Sequence, residues 1–347
     1  MITDRPGMSN GDAAASQPSA ACESVSGVGA APTGRSPGYR RLAIINLFAV
    51  LLPLLGLAGA VVLLWGTAFD WWYLLIMGVM TFISGAGITV GYHRLCTHKS
   101  FTTPALVRYL FAAAGSMAVQ GPVVNWCAEH RKHHQHSDTE HDPHSPHMSR
   151  NGSWGEGIWA TLRGAFHAHM GWLFAGPTEG LDKYSADLRA DRAVALADRQ
   201  FLLWVLIGLV LPAIVAGLVA MSWWGVLLGF LWGGLVRVLL VHHITWSVNS
   251  VCHLWGTRPY ASRDESRNNA VVGLLAMGEG WHNNHHAFPT SARHGLRWWE
   301  FDVSYLFIRV LWLLGLARNV RTPSRERVLA RRRMGERHAS SGRGKSA

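Results

Sequence analysis

Two histidine triads with the spacing H-x-x-H-H are the residues of this sequence best suited to chemistry. They are His130, His133 and His134, and His282, His285 and His286. On a helix, residues at i, i+3 and i+4 project from one face, so the three rings of a triad are predicted to converge on one point. Each triad therefore predicts a metal-ligand face, and two triads are too many for one ion.

Three more histidines extend this set. His93 and His98 are five residues apart, which predicts that one lies at the end of a helix and the other just beyond it. His253 follows Asn249 by four residues and is a ninth candidate. A zinc ion takes three or four protein ligands, so nine nitrogens suffice for two metals with open positions for a small molecule such as O2. Imidazole suits zinc, copper, iron and nickel, and ligand type alone does not choose among them.

The composition is that of a membrane protein. Of the 347 residues, 49% are hydrophobic and only 15% are charged, and 17 are Trp. Soluble domains carry about a quarter charged residues. Much of the net charge of +11 lies in two flanks, 35–41 and 318–345, which suit anionic lipid headgroups. The basic residues form no stripe interleaved with aromatics, so nucleic acid is not expected as a partner.

Four apolar segments approach the length of about 20 residues that a helix needs to cross a bilayer. They are residues 43–65, 71–90, 201–220 and 224–240. We predict an all-α integral membrane fold with four transmembrane helices in two hairpins and a helical cap that carries the histidines. The domain spans 37–320, between a disordered tail at 1–36 and a basic, frayed tail at 321–347. Two shorter apolar stretches, 104–119 and 298–316, predict helices at the membrane interface or under the bundle.

Charge sets the predicted orientation. Basic residues flank the first hairpin on one side, whereas its connecting turn carries only Asp70. By the positive-inside rule, both termini and all the histidine clusters lie in the cytoplasm. Arg237 lies near the end of the fourth apolar segment and is predicted to face the protein interior or reach the interface.

Other histidines are predicted to play lesser parts. Four lie in a loop with acidic residues and are expected to hydrogen-bond to the ligands rather than bind metal. They are His136, His141, His144 and His147. Four more are expected to be polar packing or surface residues. They are His167, His169, His242 and His243.

The pair His93 and His98 and the two triads form three histidine boxes. Taken with these boxes, five further motifs resemble the membrane fatty acyl desaturases, with a closer match to the acyl-CoA Δ9 (stearoyl-CoA-type) branch and its bacterial relatives. The resemblance covers about residues 40–320. The motifs are Gly91-Tyr92-His93-Arg94, Asp142-Pro143-His144, His169-Met170-Gly171-Trp172, Thr245-Trp246-Ser247-Val248-Asn249-Ser250 and Gly278-Glu279-Gly280-Trp281-His282-Asn283.

The resemblance implies an enzyme of the bacterial inner membrane that inserts a cis double bond, at Δ9 in this branch, into a saturated acyl chain. It implies two iron ions, O2 as co-substrate and two electrons. It also implies that Asn249 holds a bound water and that nine histidines are the iron ligands. These are His93, His98, His130, His133, His134, His253, His282, His285 and His286.

The substrate would lie in a tunnel between the spans, lined by residues such as 71–90 and 231–240. Arg131, Lys132 and Arg163 are candidates to bind an anionic headgroup. Extra chain at Met148–His167, relative to the animal enzymes, leaves the carrier open among CoA, acyl carrier protein and membrane lipid. The sequence has no His-Pro-Gly-Gly segment, so electrons are expected from a separate donor such as a ferredoxin, a cytochrome b5-like protein or a flavin reductase.

Two rival functions remain. A membrane fatty acid or alkane hydroxylase uses similar boxes but inserts oxygen, and its product would be an alcohol rather than an alkene. A histidine-rich metal transporter would place its ligands within the spans at mid-bilayer. The triads here follow polar segments outside the spans, which favours the desaturase.

Overall fold

The computed structural model describes residues 37–64 and 70–343. Within these ranges four helices are long and apolar enough to cross a membrane, as predicted. They are Gly38–Leu63, Trp71–Thr97, Phe201–Ala220 and Trp223–Leu254. A helix is the natural form for such segments, because it satisfies every backbone polar group without water. The predicted disordered tail, 1–36, lies outside the described residues.

The first hairpin consists of α1, Pro37–Leu64, and α2, Trp71–Ala86, which continues as a π-helix, Gly87–Thr97. Asp70 caps α2, because its carboxylate accepts a hydrogen bond from the Trp72 amide at 3.2 Å. The helix runs past the predicted end at residue 90, since its last turns are buried in protein. A Cβ at Gly87 would lie 2.1 Å from the backbone of α3, Ala105–Ser116, so glycine permits this close packing.

The second hairpin consists of α8, Phe201–Ala220, and a long helix made of α9, Trp223–Gly229, a π-helical segment, Phe230–Val236, and α10, Arg237–Leu254. The long helix extends 14 residues beyond the predicted end at 240, because its second half is packed inside the cap.

Arg237 faces the protein interior, which is one of the two predicted positions. Its guanidinium is fully buried and donates to the carbonyl oxygens of Gly208 at 2.8 Å, Gly233 at 3.1 Å and Met117. These acceptors satisfy a charged group that would otherwise be costly within the membrane.

The helical cap consists of the elements between and after the hairpins. Before α8 these are α4, Val123–His136; a hairpin of β1, Met148–Ser149, and β2, Gly152–Ser153; α5, Ile158–His169; 3-10 turns at Gly171–Phe174 and Leu181–Tyr184; α6, Ala186–Ala190; and α7, Arg192–Arg199. After α10 come α11, Ala270–Leu275; α12, His282–Ala287; α13, Val303–Leu313; and α14, Arg325–Arg343.

The prediction of a frayed tail after residue 320 is wrong for 325–343, which form α14. Val328 packs against a small apolar cluster that contains Tyr260 and Phe288. The Arg331 guanidinium also donates to the carbonyl oxygen of Ala261 at 3.1 Å. These contacts with the cap stabilise a helix that its own polar sequence would form only weakly.

Candidate metal centre

The first histidine cluster contains five imidazoles whose ligand nitrogens lie within 4.8 Å of one another. Its members are His93, His98, His130, His134 and His285. The Nε2 atom of His285 lies 3.0 Å from Nε2 of His93 and 2.8 Å from Nε2 of His134. His93 lies at the π-helical end of α2 and His98 just after it, as their spacing predicts.

The second cluster contains the other four predicted histidines, within the same limit of 4.8 Å. Its members are His133, His253, His282 and His286. The Nε2 atoms of His253 and His282 are 3.1 Å apart. All nine predicted ligands therefore belong to one of two groups.

The prediction that each triad converges on one point is wrong, because each triad divides between the clusters. His130 and His134 belong to the first cluster and His133 to the second. Adjacent residues on an α-helix differ by about 100° in direction, so His133 and His134 point to different centres. In α12 the division is reversed, because its i, i+4 pair joins the second cluster and His285 joins the first. Two helices with the same spacing thus supply both centres.

The donor set fits two metal ions. Nitrogens separated by 2.8 to 3.1 Å are placed as atoms that share one ion at the bond length of about 2.1 Å usual for histidine. Burial and neighbouring imidazoles hold the pKa of most ring nitrogens outside the spans below the usual value, which keeps the rings neutral and able to ligate at pH 7. This applies to His98, His130, His134, His282, His285 and His286.

Carboxylates orient four of the predicted ligand rings. A carboxylate only accepts hydrogen bonds, so each facing Nδ1 must carry the proton and Nε2 must be free for a metal. The four pairs are His93 with Glu279 at 2.6 Å, His133 with Asp142 at 3.0 Å, His253 with Asp138 at 2.9 Å, and His286 with Asp264 at 2.6 Å.

The pKa values of these carboxylates show how strongly they are held in the charged form. Burial would raise the pKa of Asp142, but the facing His133 imidazole and further hydrogen bonds lower it to about 2. Burial would also raise the pKa of Asp264, but the His286 imidazole and a hydrogen bond from Ser266 keep this pKa well below its usual range. Both groups are therefore acceptors at any physiological pH.

Glu279 belongs to a larger buried network. Its carboxylate also accepts from Arg94 at 3.1 Å and lies 3.3 Å from His294 Nδ1. Arg94 is fully buried and pairs with Asp302 at 2.9 Å as well. The network ties the end of the second span to the segments before and after α12, so it fixes the position of His93 relative to the histidines of α12.

The expectation that histidines after α4 hydrogen-bond to the predicted ligands is confirmed for His147, whereas aspartates of the same loop face two of the rings. The loop's aspartates, Asp138 and Asp142, face the ligand rings, whereas His136 and His141 contact each other with ring centres 5.5 Å apart. His144 stacks on the ring of His133 at 4.4 Å. The fourth loop histidine, His147, contacts the backbone carbonyl oxygen of His253 at 3.0 Å.

The four histidines expected to be polar packing or surface residues lie outside both clusters. His169 and His243 contact each other at 2.9 Å between Nε2 and Nδ1. His242 donates to the carbonyl oxygens of Ala118 and Val119, and the ring of His167 packs against Trp154.

The three headgroup candidates differ in how far their charges are already used. Arg131 forms a two-point ion pair with Asp187 and donates to the carbonyl oxygens of Cys96 and Thr97, at the end of the π-helix. Lys132 donates to the carbonyl oxygen of Glu179, and Arg163 is exposed on α5. Arg131 thus fixes α4 in place, and the charges of Lys132 and Arg163 are the more accessible.

An apolar cavity of about 230 Å³ adjoins both clusters. His93, His130 and His282 form one end, and α2 lines its length from Thr89 to Gly78. The predicted lining by residues 231–240 is wrong. The cavity-facing part of the fourth span is 241–249, which includes Asn249, because that helix continues into the cap. A third wall comes from residues 275–277, at the end of α11.

Comparison with known proteins gives a consistent result. The sequence model of the family described as fatty acid desaturase matches residues 69–302. The chain is 39% identical over 288 residues to the hex-5-enoyl-[acyl-carrier protein] acetylenase of Moorena producens, covering 81% of this chain and 87% of that protein.

Two further relatives act on other acyl carriers, by their names. The sn-1 stearoyl-lipid 9-desaturase of Anabaena variabilis is 39% identical over 240 residues, covering 68% of this chain and 79% of that protein. The icosanoyl-CoA 5-desaturase of Limnanthes douglasii is 40% identical over 252 residues, covering 71% and 64%.

Proposed function

Because this chain belongs to the fatty acid desaturase family, we propose that it inserts a cis double bond at the Δ9 position of a saturated acyl chain. In the balanced reaction, the saturated chain loses one hydrogen from each of two neighbouring carbons and becomes the alkene. These two hydrogens, O2, two electrons and two protons form two waters. The observation that carries this proposal is an apolar cavity that touches histidines of both clusters.

The nine clustered histidines are proposed to hold two iron ions, and Asn249 to hold a water beside them. Iron supplies the O2-dependent oxidising power that cleavage of an alkyl C–H bond requires and that side-chain acid-base chemistry lacks. Support comes from the donor set, which is wholly imidazole and has four of its rings oriented by carboxylates.

The protein's own task is to present one pair of carbons. The cavity walls of α2 and α10 exclude water and bind methylene groups without directional bonds. Selectivity for Δ9 then depends on how far the chain can enter, because a bound geometry accurate to about 1 Å decides which carbons react. The His93 and His282 rings at one end fix the reacting position relative to the walls.

For the carrier we propose CoA, with Lys132 and Arg163, and secondarily Arg131, contacting its anionic groups. The names of the relatives include acyl carrier protein, lipid and CoA. Acyl carrier protein and lipid-linked substrates are therefore the alternatives for direct comparison. We further propose that the enzyme is an inner-membrane protein whose histidine clusters face the cytoplasm, where a separate donor supplies electrons.

The fatty-acid profile of host membranes tests the reaction. We expect a new monoene with wild type, its bond position fixed by mass spectrometry of derivatised methyl esters, and none with His134→Ala or His285→Ala. His136→Ala is the matched control, because His136 is on the same helix but outside both clusters, and it should behave as wild type. A hydroxy acid in place of the monoene would support the hydroxylase instead.

A further inference from the structure

A second recess lies on the cap, next to α12. It has a volume of about 350 Å³, and it differs from the acyl cavity in being lined mainly by polar groups. Phe288 and Ser291 from the segment after α12 form one side, and Arg321, Thr322 and Arg327 form another. The recess therefore combines an aromatic ring with two guanidinium groups.

The surface around the recess is strongly basic. From residue 318 to the end, the sequence has ten Arg or Lys and two Glu. In the described part of the chain, the exposed side chains of Arg321, Arg325 and Arg327 form no ion pair. Their charge is thus available to a partner of opposite sign.

The recess is close to the second histidine cluster. Phe288, in its wall, comes two residues after the cluster member His286, so their Cα atoms are at most about 7.6 Å apart. The Phe288 ring also packs against Tyr260, with ring centres 5.6 Å apart. A protein seated here would be separated from the cluster by little more than one layer of side chains.

The recess is separate from the acyl cavity. Val328 of α14 packs on Tyr260, Ala287 and Phe288, and the last two directly follow His286 in the chain. The recess shares no lining residue with the acyl cavity, which runs along α2 and α10. A partner in the recess would therefore not compete with the acyl chain for space.

We propose that this arginine-lined recess is the docking surface of an acidic one-electron carrier protein. The inference rests on the proposed function, in which each double bond requires two electrons from outside. Two reduced carriers would dock in turn, and each would leave oxidised after giving one electron to the ion that His286 and the other histidines of the second cluster would hold. Arg321 and Arg327 attract the carrier's carboxylates, and Phe288 sets its distance from the cluster.

The test uses full-length, iron-loaded protein in nanodiscs of neutral lipid, with a reduced, acidic plant-type [2Fe–2S] ferredoxin as the probe. We expect the double variant Arg321→Glu, Arg327→Glu to raise the KM for ferredoxin about tenfold or more at low salt. The wild-type rate should fall with ionic strength and that of the variant should not. Arg192→Glu is the matched control, because Arg192 is exposed on α7, away from the recess, and should leave the KM unchanged.

A small reductant separates this inference from the proposed function. With photoreduced flavin in place of ferredoxin, wild type and every variant should form the alkene at equal rates. An unchanged KM for ferredoxin in the double variant would overturn the docking surface while leaving the desaturase intact. The same assays are repeated in nanodiscs of anionic lipid. An effect of the charge reversals that appears only there, and that persists with the flavin, would overturn the docking surface in favour of lipid. No alkene from wild type with either reductant would instead refute the proposed function.

A further variant, Phe288→Leu, tests the part played by the aromatic ring. It retains apolar bulk in the wall but removes the ring. We expect this variant to slow electron entry from ferredoxin and to leave the KM for ferredoxin at the wild-type value. A KM increase equal to that of the double variant would contradict the assignment of docking to the charges of Arg321 and Arg327.

Discussion

Chain-length preference should depend on Gly78, at the end of the acyl cavity remote from the histidines. Gly78 precedes His93 by 15 residues on the same helix, which places it about 22 Å away at the usual rise of 1.5 Å per residue. A Cβ built at Gly78 meets no atom within 4 Å. A larger side chain here would therefore occupy space that the end of a long acyl chain would use.

The expected effect is large because it is counted in methylene groups. The side chain added in Gly78→Leu has the bulk of about four carbons. Each methylene of the substrate that no longer fits the pocket costs about 1 to 3 kcal/mol, or about 10- to 200-fold in kcat/KM. We expect preference to shift to chains two to four carbons shorter, with the double bond at the same distance from the carboxyl end. Gly78→Ala should give a smaller shift in the same direction.

The assay compares kcat/KM for saturated substrates of 14, 16 and 18 carbons on one carrier. Replacing a mid-helix glycine should favour the helix by about 0.5 to 1 kcal/mol, so misfolding is not expected. Gly59→Ala is the control, because its Cβ would make only ordinary contact with Leu231 in α1's packing. An unchanged chain-length profile in folded Gly78→Leu would refute this account of the cavity.

Three further outcomes follow from the contacts around the site. Asp264→Asn should weaken iron binding about 10- to 100-fold, measured by metal analysis after dialysis, because the pair with His286 at 2.6 Å orients that ring. Arg237→Met should lower the free energy of unfolding by about 2 kcal/mol or more in detergent, because buried carbonyl oxygens lose their donor. Gly164→Ala should lower it by about 1 to 3 kcal/mol, because the new Cβ would lie 1.9 Å from the carbonyl oxygen of Pro146, and an unchanged melting temperature would contradict this.

Local spacing made much of the fold and site predictable. The four spans follow from apolar length, and the nine clustered histidines follow from two triads, a pair and one histidine after Asn249. The division of each triad between two centres was also available from helical geometry. His133 and His134 cannot point to one ion when about 100° separates them.

The supporting residues were beyond the reach of local spacing. Asp264 is 22 residues from its partner His286, and Glu279 is 186 residues from His93. Acidic residues in loops are common, and only the packing of distant segments selects these two. The fourth span was predicted to end at residue 240, whereas its helix ends at Leu254. Hydropathy detects where lipid contact ends and not where the helix ends.

The two long helices explain how one protein can fix a reacting position on a featureless chain. One helix carries both the cavity wall at Thr89 and the predicted ligand His93, and the other carries both Asn249 in the wall and the predicted ligand His253. Wall and ligand are thus joined by one or two turns of continuous helix, whose spacing cannot vary as a loop's can. The loops supply the carboxylates that orient the rings, such as Asp138 and Asp264. Changes in the loops should therefore alter metal retention, whereas changes on the helices should alter which carbons react.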